Sequence, residues 1–335
     1  MNDKIKIILL DFFFGWYIAI TVHRIMYYHV LLTTDSPDFS WSLMIPYIIF
    51  AGVFTTFSFI TGASLSKKII SSVKIGSWQN EVALNIAWIL IVLTFVTSWV
   101  ATKVNIIQMF DPERLNAAGR LFTNLLSPNW NILQKAIMAM IETIYLAFLS
   151  TAIALPISFL LGFLSARNLM KGNTISFAVY NLLRIVTNFT RSIEPLVWAV
   201  IFTVWVSSGP FPGMLALMIH TIASLAKQYS EQIEDVDVGP MEAIEATGAT
   251  PIQVIWFAVV PQIVIPFLSF TIYRWDINVR MATIIGLVGG GGIGSMLIQY
   301  QMLSQWNEVG LIVLIIALVV WLMDYLSAKI REALK

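Results

Sequence analysis

Glu242-Ala243-Ile244-Glu245-Ala246-Thr247-Gly248-Ala249-Thr250-Pro251, with Pro261 ten positions further on, is the stretch on which the fold turns. Met241 to Thr247 is rich in strong helix formers, and Gly248 is the residue type that most readily ends a helix. Thr250-Pro251 then supplies the N-cap and first-turn residues of a second short helix. The preceding Gly239-Pro240 reads as a break. Two short helices joined by a glycine turn make a compact knob. Its charge is one-sided: from Gln228 to Tyr273 there is no lysine or arginine, whereas Glu231, Glu234, Asp235, Asp237, Glu242 and Glu245 crowd the first half.

On either side of the knob the chain is apolar. Of 335 residues, 58% are hydrophobic and 12% charged, and the mean hydropathy is +0.80, which places the chain in a bilayer. Crossing the hydrocarbon takes about 20 mostly apolar residues. Eight windows qualify, approximately 7–30, 42–63, 82–101, 136–162, 174–206, 212–230, 263–287 and 307–328. The expected fold class is therefore an all-α polytopic membrane protein of about eight spans. The first window is the weakest, with Asp11 near one end and His23 and Arg24 near the other, and it could instead lie at the interface. Lys4 and Lys6 before an apolar run also resemble a cleaved leader, but Asp11 interrupts that run.

Short basic loops tend to stay in the cytoplasm. Lys4 and Lys6, then Lys67, Lys68 and Lys74, then Arg167 and Lys171, and last Lys329, Arg331 and Lys335 fall on one side of an eight-span arrangement. Both termini are thus expected in the cytoplasm. Lys103, Arg114 and Arg120, between 102 and 135, run against this, and Asp111 and Glu113 offset them only in net charge. The acidic knob lies on the cytoplasmic side, where a basic loop is the norm. It points to a protein partner of opposite charge, the alternative being a solvated acidic loop.

Glu242, Ala243, Gly248 and Pro261 carry a resemblance to the permease subunits of type I ABC importers. Their cytoplasmic signature is Glu-Ala-Ala, three residues, Gly, nine residues, Ile, one residue, Leu-Pro. Here Ile244, Ala258 and Val260 replace the second alanine, the isoleucine and the leucine. From about residue 82 onward the chain is most similar to phosphonate importer permeases, through Arg191 to Ala199, Gly213 to Leu217 with His220, Glu231 to Gly248, Tyr273 to Arg280 with Ala282-Thr283, and Gly289 to Gly294. Glu194-Pro195 reverses the proline-then-acid order of many members.

The resemblance implies a type I ABC importer permease core over 81–335, and a coupling loop at 239–262 that docks on a separate ATPase through Glu242, Ala243, Glu245, Gly248, Ala249 and Pro261. Residues 1–80 are an extension with one or two extra spans. It further implies a bacterial cytoplasmic membrane protein working with a second copy of itself, two ATP-binding subunits and an extracytoplasmic substrate-binding protein. The cargo would be phosphonate, phosphite or phosphate. The chain would be no enzyme and hold no cofactor, ATP and Mg being bound by the partner ATPase.

What the chain lacks agrees with a transport subunit. No Gly-x-x-x-x-Gly-Lys-Ser/Thr occurs, so ATP must be hydrolysed elsewhere. Gly289-Gly290-Gly291-Gly292-Ile293-Gly294 satisfies Gly-x-Gly-x-x-Gly formally, but a dinucleotide site needs a preceding strand. The run reads instead as weakened helix, with Gly289, Gly290, Gly291, Gly292 and Gly294 forming either a gate or a tight packing element. There are no cysteines, and His23, His29 and His220 have no metal-ligand spacing. No basic patch with interleaved aromatics marks a nucleic-acid surface.

Ionised residues near spans point to an anionic cargo, because at that depth they usually face a cavity and have a partner. The candidate path residues are Arg191, Ser192, Glu194, Arg274, Asn278 and Arg280. Each arginine has a plainer reading as well: Arg280 pairs with Asp276 four residues away, Arg191 with Glu194 three away, and Arg274 and Arg184 snorkel to the surface. A stand-alone secondary anion transporter or channel is the main rival, favoured by internal repeats that are not evident. A membrane enzyme would need clustered His, Cys or paired carboxylates within a span, and none is seen.

Overall fold

The structure is a computed structural model that describes residues 3–30, 41–61, 64–70 and 77–334. Every regular element among the described residues is helical. The chain divides into two compact units between Leu115 and Asn116.

The first unit contains α1 (Asp3–Val30), α2 (Trp41–Thr61), α3 (Leu65–Ile70), α4 (Ser77–Ala101) and α5 (Ile106–Met109). α1 packs on α2, α3 and α4, so the helix at the start of the expected core sits with the N-terminal helices. Tyr17 meets Thr94 through their hydroxyls at 2.8 Å. Asp11, the residue that weakened the first window, is 3% exposed. Its carboxylate accepts hydrogen bonds from the hydroxyls of Ser58, Ser64 and Ser66. Three donors to one buried carboxylate explain how an acid sits in an otherwise apolar helix.

Further on, α6 (Pro112–Leu125) and a short turn at Trp130–Ile132 lead into α7 (Leu133–Leu164). There follow α8 (Arg167–Met170), α9 (Thr174–Ser192), α10 (Pro195–Val206), α11 (Pro210–Glu234), α12 (Val238–Glu245), α13 (Pro251–Val254), α14 (Val260–Gly286), α15 (Gly292–Met302) and α16 (Trp306–Ala333). α11 is central, packing on α7, α9, α10 and α14. α7 turns a strip of small side chains inward, Ala147, Ser150, Ala154, Ser158 and Gly162. Such residues let helix backbones approach closely where lipid offers no hydrophobic drive to associate. A Cβ on Gly162 would stand 2.8 Å from that of Tyr229 on α11.

Among the described residues, the eight expected windows become six helices long and apolar enough to cross a bilayer, or seven if one bent pair counts as a span. That pair is α9 and α10, and it corrects the continuous 174–206 window: the two helices meet at 88°. Pro195 is the cause. It disfavours helical geometry in the residue before it, and Ile193 and Glu194 are both extended, with ψ of 121° and 144°. The 212–230 window lies within α11, whose 25 residues are long enough to span but carry His220, Lys227, Gln228 and Glu231.

Two hydrogen-bonded rungs fix the register of α11 against α14. The hydroxyls of Tyr229 and Thr271 meet at 2.6 Å, and the Asn278 amide donates to Thr221 Oγ1 at 2.8 Å. The same amide donates to Thr151, near the middle of the 32-residue α7. Asn278 thus braces three helices at mid-depth.

Candidate functional site

The knob is built largely as its sequence implies, with one correction. Gly239-Pro240 is the first turn of α12, not a break. Asp237 caps that helix, its carboxylate accepting the Gly239 N–H at 3.1 Å. Pro240 then falls in the first turn, where a missing N–H costs nothing. Gly248 closes the helix with φ of +82°. Thr250 caps α13 in a reciprocal box with Gln253, whose side chain accepts the Thr250 N–H at 2.8 Å. The chain then enters α14, with Pro261 in its first turn.

Two attachments hold the knob on the helices above it. Gln262 accepts the Asp237 N–H at 3.0 Å and donates to the Ala258 carbonyl at 2.8 Å. Met241 packs on the cluster around Tyr229 and Ile233. Glu242, Ala243 and Glu245 face outward, as does Pro261, while Ala249 is half-buried.

The acidity is partly neutralised from within. Glu231 pairs with Lys227 at 3.4 Å. Glu234 pairs with Arg184 of α9 at 3.0 Å and accepts the Arg167 N–H. Glu242, Glu245 and Asp235 are left with no ion pair among the described residues. Beside them opens a cleft of about 570 Å³ lined by Gln228, Glu231, Gln232, Glu234, Asp235 and Phe270.

A second constellation forms at the α9–α10 bend. His220 of α11 meets the Ile193 carbonyl through Nδ1 at 3.2 Å. A carbonyl only accepts, so Nδ1 carries the proton. Arg191, Glu194 and Arg274 are all near enough for their charges to act on this imidazole. Arg191, Ser192 and Glu194 are exposed, and Arg274 is half-buried. Arg191 and Glu194 form no ion pair with each other, and the Ser192 hydroxyl donates to the Asn188 carbonyl at 2.8 Å.

Arg280 stands apart from this group. One of its nitrogens, Nη2, donates to Asp276 at 2.6 Å and to Asp324 of α16 at 2.8 Å. Arg184 pairs with Glu234 and donates to the Tyr180 hydroxyl at 2.5 Å, so it is held by partners rather than snorkelling freely.

The glycine run forms a third region. Gly289, Gly291 and Gly292 have φ of +91°, +78° and +66°, a left-handed conformation that side chains resist. The Gly209 N–H donates to the Gly289 carbonyl at 2.9 Å, and the Ile293 N–H to Thr143 Oγ1 at 2.8 Å. A Cβ on Gly213 would lie 2.6 Å from the Gly290 carbonyl oxygen, and one on Gly286 2.7 Å from the Gly294 Cα. Of the two readings of this run, tight packing is the one with direct contacts. Because backbone meets backbone, Gly213→Ala is expected to cost about 1–3 kcal/mol. A fall of several degrees in the thermal unfolding midpoint in detergent would register it, and an unchanged midpoint would refute the packing argument.

Residues 158–334 match the family described as binding-protein-dependent transport system inner membrane component. The chain belongs to this family. This inner membrane component is 37% identical over 208 residues to the phosphite transport system permease protein PtxC of Stutzerimonas stutzeri, covering 62% of its own length and 74% of the relative's. It is 30% identical over 240 residues to the phosphate-import permease protein PhnE of Mycolicibacterium smegmatis, covering 71% of its own length but 44% of that chain. A structure entitled "Inward facing conformations of the MetNI methionine ABC transporter" superposes with a TM-score of 0.50 at 21% identity, over 61% of this chain and 96% of the other. At that identity the likeness is one of fold. The inner membrane component is therefore a multi-pass permease chain whose regular elements among the described residues are all helical, with the fold of an ABC transporter.

Some of its site residues were not visible from sequence. Asp324 is the lone acid in the apolar body of α16, and a base in another span, Arg280, was the available signal for pairing them. His220 is joined to the α9–α10 bend only by a bond across 27 positions, which no local pattern announces.

Proposed function

We propose that this chain is the membrane-crossing subunit of an ATP-driven importer for a phosphorus oxyanion: phosphonate, phosphite or phosphate. Two copies surround a central path in a bacterial cytoplasmic membrane, with both termini on the cytoplasmic side. A pair of ATP-binding subunits docks beneath the 239–262 loops, and an extracytoplasmic binding protein delivers cargo from above. The chain does no covalent chemistry, and ATP with its Mg is held by the partner subunits.

The observation that carries this reading is the rigid mounting of α12. Glu242, Ala243 and Glu245 face outward from a helix clamped to α14 through Gln262 and seated on Tyr229 and Ile233. A helix fixed at its N-terminal cap and at Met241 can pass a push into α11 and α14, whereas a loose loop would absorb it. ATP binding draws the two knobs together and opens the path outward, and hydrolysis resets it, as in other two-state switches. The phosphite and phosphate permease relatives support the cargo class. Arg191, Ser192, Glu194 and Arg274 form the path side of the site, Asn278 and Arg280 hold the helices that carry it, and the glycines from Gly289 to Gly294 let the backbones beside it pack closely.

Cells carrying the complete transporter are expected to take up phosphite, phosphate or methylphosphonate at least tenfold faster than cells lacking this chain alone. Equal uptake of all three in the two strains would remove the cargo assignment.

A further inference from the structure

The arginines of the membrane-embedded helices differ in how their charge is met. Arg280 is answered twice, by Asp276 and Asp324. Arg274 is answered by no carboxylate among the described residues. Its Nε is buried and has no hydrogen-bond partner. A charge acting on it, that of Arg191, is of like sign.

The two rungs between α11 and α14 locate this guanidinium. Tyr229 lies against Thr271 and Thr221 against Asn278, so Arg274 is level with the Leu225–Ala226 step of α11. Asn278 is near the middle of α7, and Arg274, one turn along α14, is about 6 Å to the cytoplasmic side of that level. Between one and two residues along α11 from that level, Ser224, at 2% exposure, has a hydroxyl without a partner. One turn below it, the Gln228 side-chain oxygen is also buried and unpaired.

An ionised guanidinium at this depth is costly unless something answers it, and unsatisfied buried polar groups carry their own penalty. We infer that Arg274 is the transient seat of the anion in transit, and that Arg191 at the α9–α10 bend draws the anion toward it. This rests on the phosphorus-oxyanion reading and assigns that cargo a place. The guanidinium fork donates two parallel hydrogen bonds to two oxygens of one phosphorus centre. A single unanswered arginine holds the anion loosely enough to let it go. Arg280, closed off by two carboxylates, has no such capacity to spare.

The test uses the assembled transporter in proteoliposomes with ATP inside, the loaded binding protein outside, and phosphite, phosphate and methylphosphonate as cargo. Arg274→Gln is expected to lower accumulation at least tenfold while cargo-stimulated ATP hydrolysis stays within twofold of wild type. Arg274→Lys should recover part of the loss, because it keeps the charge without the fork. Wild-type accumulation in Arg274→Gln overturns the inference. So does a loss in which accumulation and ATP hydrolysis fall together in both Arg274 variants, since that marks a structural residue. If Arg274→Gln fails to assemble, Arg274→Lys decides, and normal kinetics in it would also overturn the inference. A wild-type complex that hydrolyses ATP but accumulates none of the three anions sinks the cargo reading and this seat together.

Discussion

Glu242→Lys in the assembled transporter is expected to reduce cargo-stimulated ATP hydrolysis and uptake at least a hundredfold while leaving membrane insertion intact. The side chain is exposed on α12 and makes no ion pair among the described residues, so the fold loses nothing when it changes. The surface offered to a partner loses a negative charge and gains a positive one, and like charges brought together at an interface cost several kcal/mol.

Gly248→Val attacks the same element by another route. There is open space around this glycine, so steric crowding is not the cause. Its φ of +82° is one a β-branched residue resists at a cost of about 1–3 kcal/mol, and the turn that sets α12 against α13 gives way. Both variants should still insert, because neither residue lies in a membrane-crossing helix. Normal cargo-stimulated hydrolysis in both would end the coupling role of the loop.

Arg280→Ala is expected to damage the fold more than any other single change of a charged residue considered above. Asp276, with 3% of its side chain exposed, and the half-open Asp324 share one guanidinium nitrogen. Removing it leaves two adjacent carboxylates at membrane depth without a cation. Breaking a buried pair costs about 3–5 kcal/mol. Because Arg280 and Asp324 are 44% and 50% exposed, about 2–3 kcal/mol is the fitting expectation. Thermal unfolding in detergent measures it. Adding Asp276→Asn to an Arg280→Gln background should restore much of the loss, because the partners are coupled. A midpoint equal to wild type in Arg280→Ala would show that the triad does not hold α14 to α16.

Much of the knob was legible in the sequence because its determinants are local. Thr250-Pro251-Ile252-Gln253 is a capping box within four residues, and Gly248 ends its helix where its lack of a side chain permits. Gly239-Pro240 misled for an equally local reason: proline and glycine mark breaks, but proline is also welcome in a first turn, and only the Asp237 cap decides between the two. The pairing of Asp276 with Arg280 was readable from their spacing of four. Asp324 was not, since 44 positions separate it from Arg280. The 174–206 window reads as one straight span because hydropathy averages across the Ile193–Glu194 kink that Pro195 imposes. Arg191 and Glu194 lie three apart and were candidates for each other, yet the bend between helices separates them.

The most direct measurement compares anion accumulation in proteoliposomes holding the complete transporter with and without internal ATP. Phosphite, phosphate or methylphosphonate should accumulate only when ATP and the loaded binding protein are both present. Accumulation in the absence of ATP, driven by an ion gradient alone, would contradict an importer driven through α12 and would make the chain a secondary transporter.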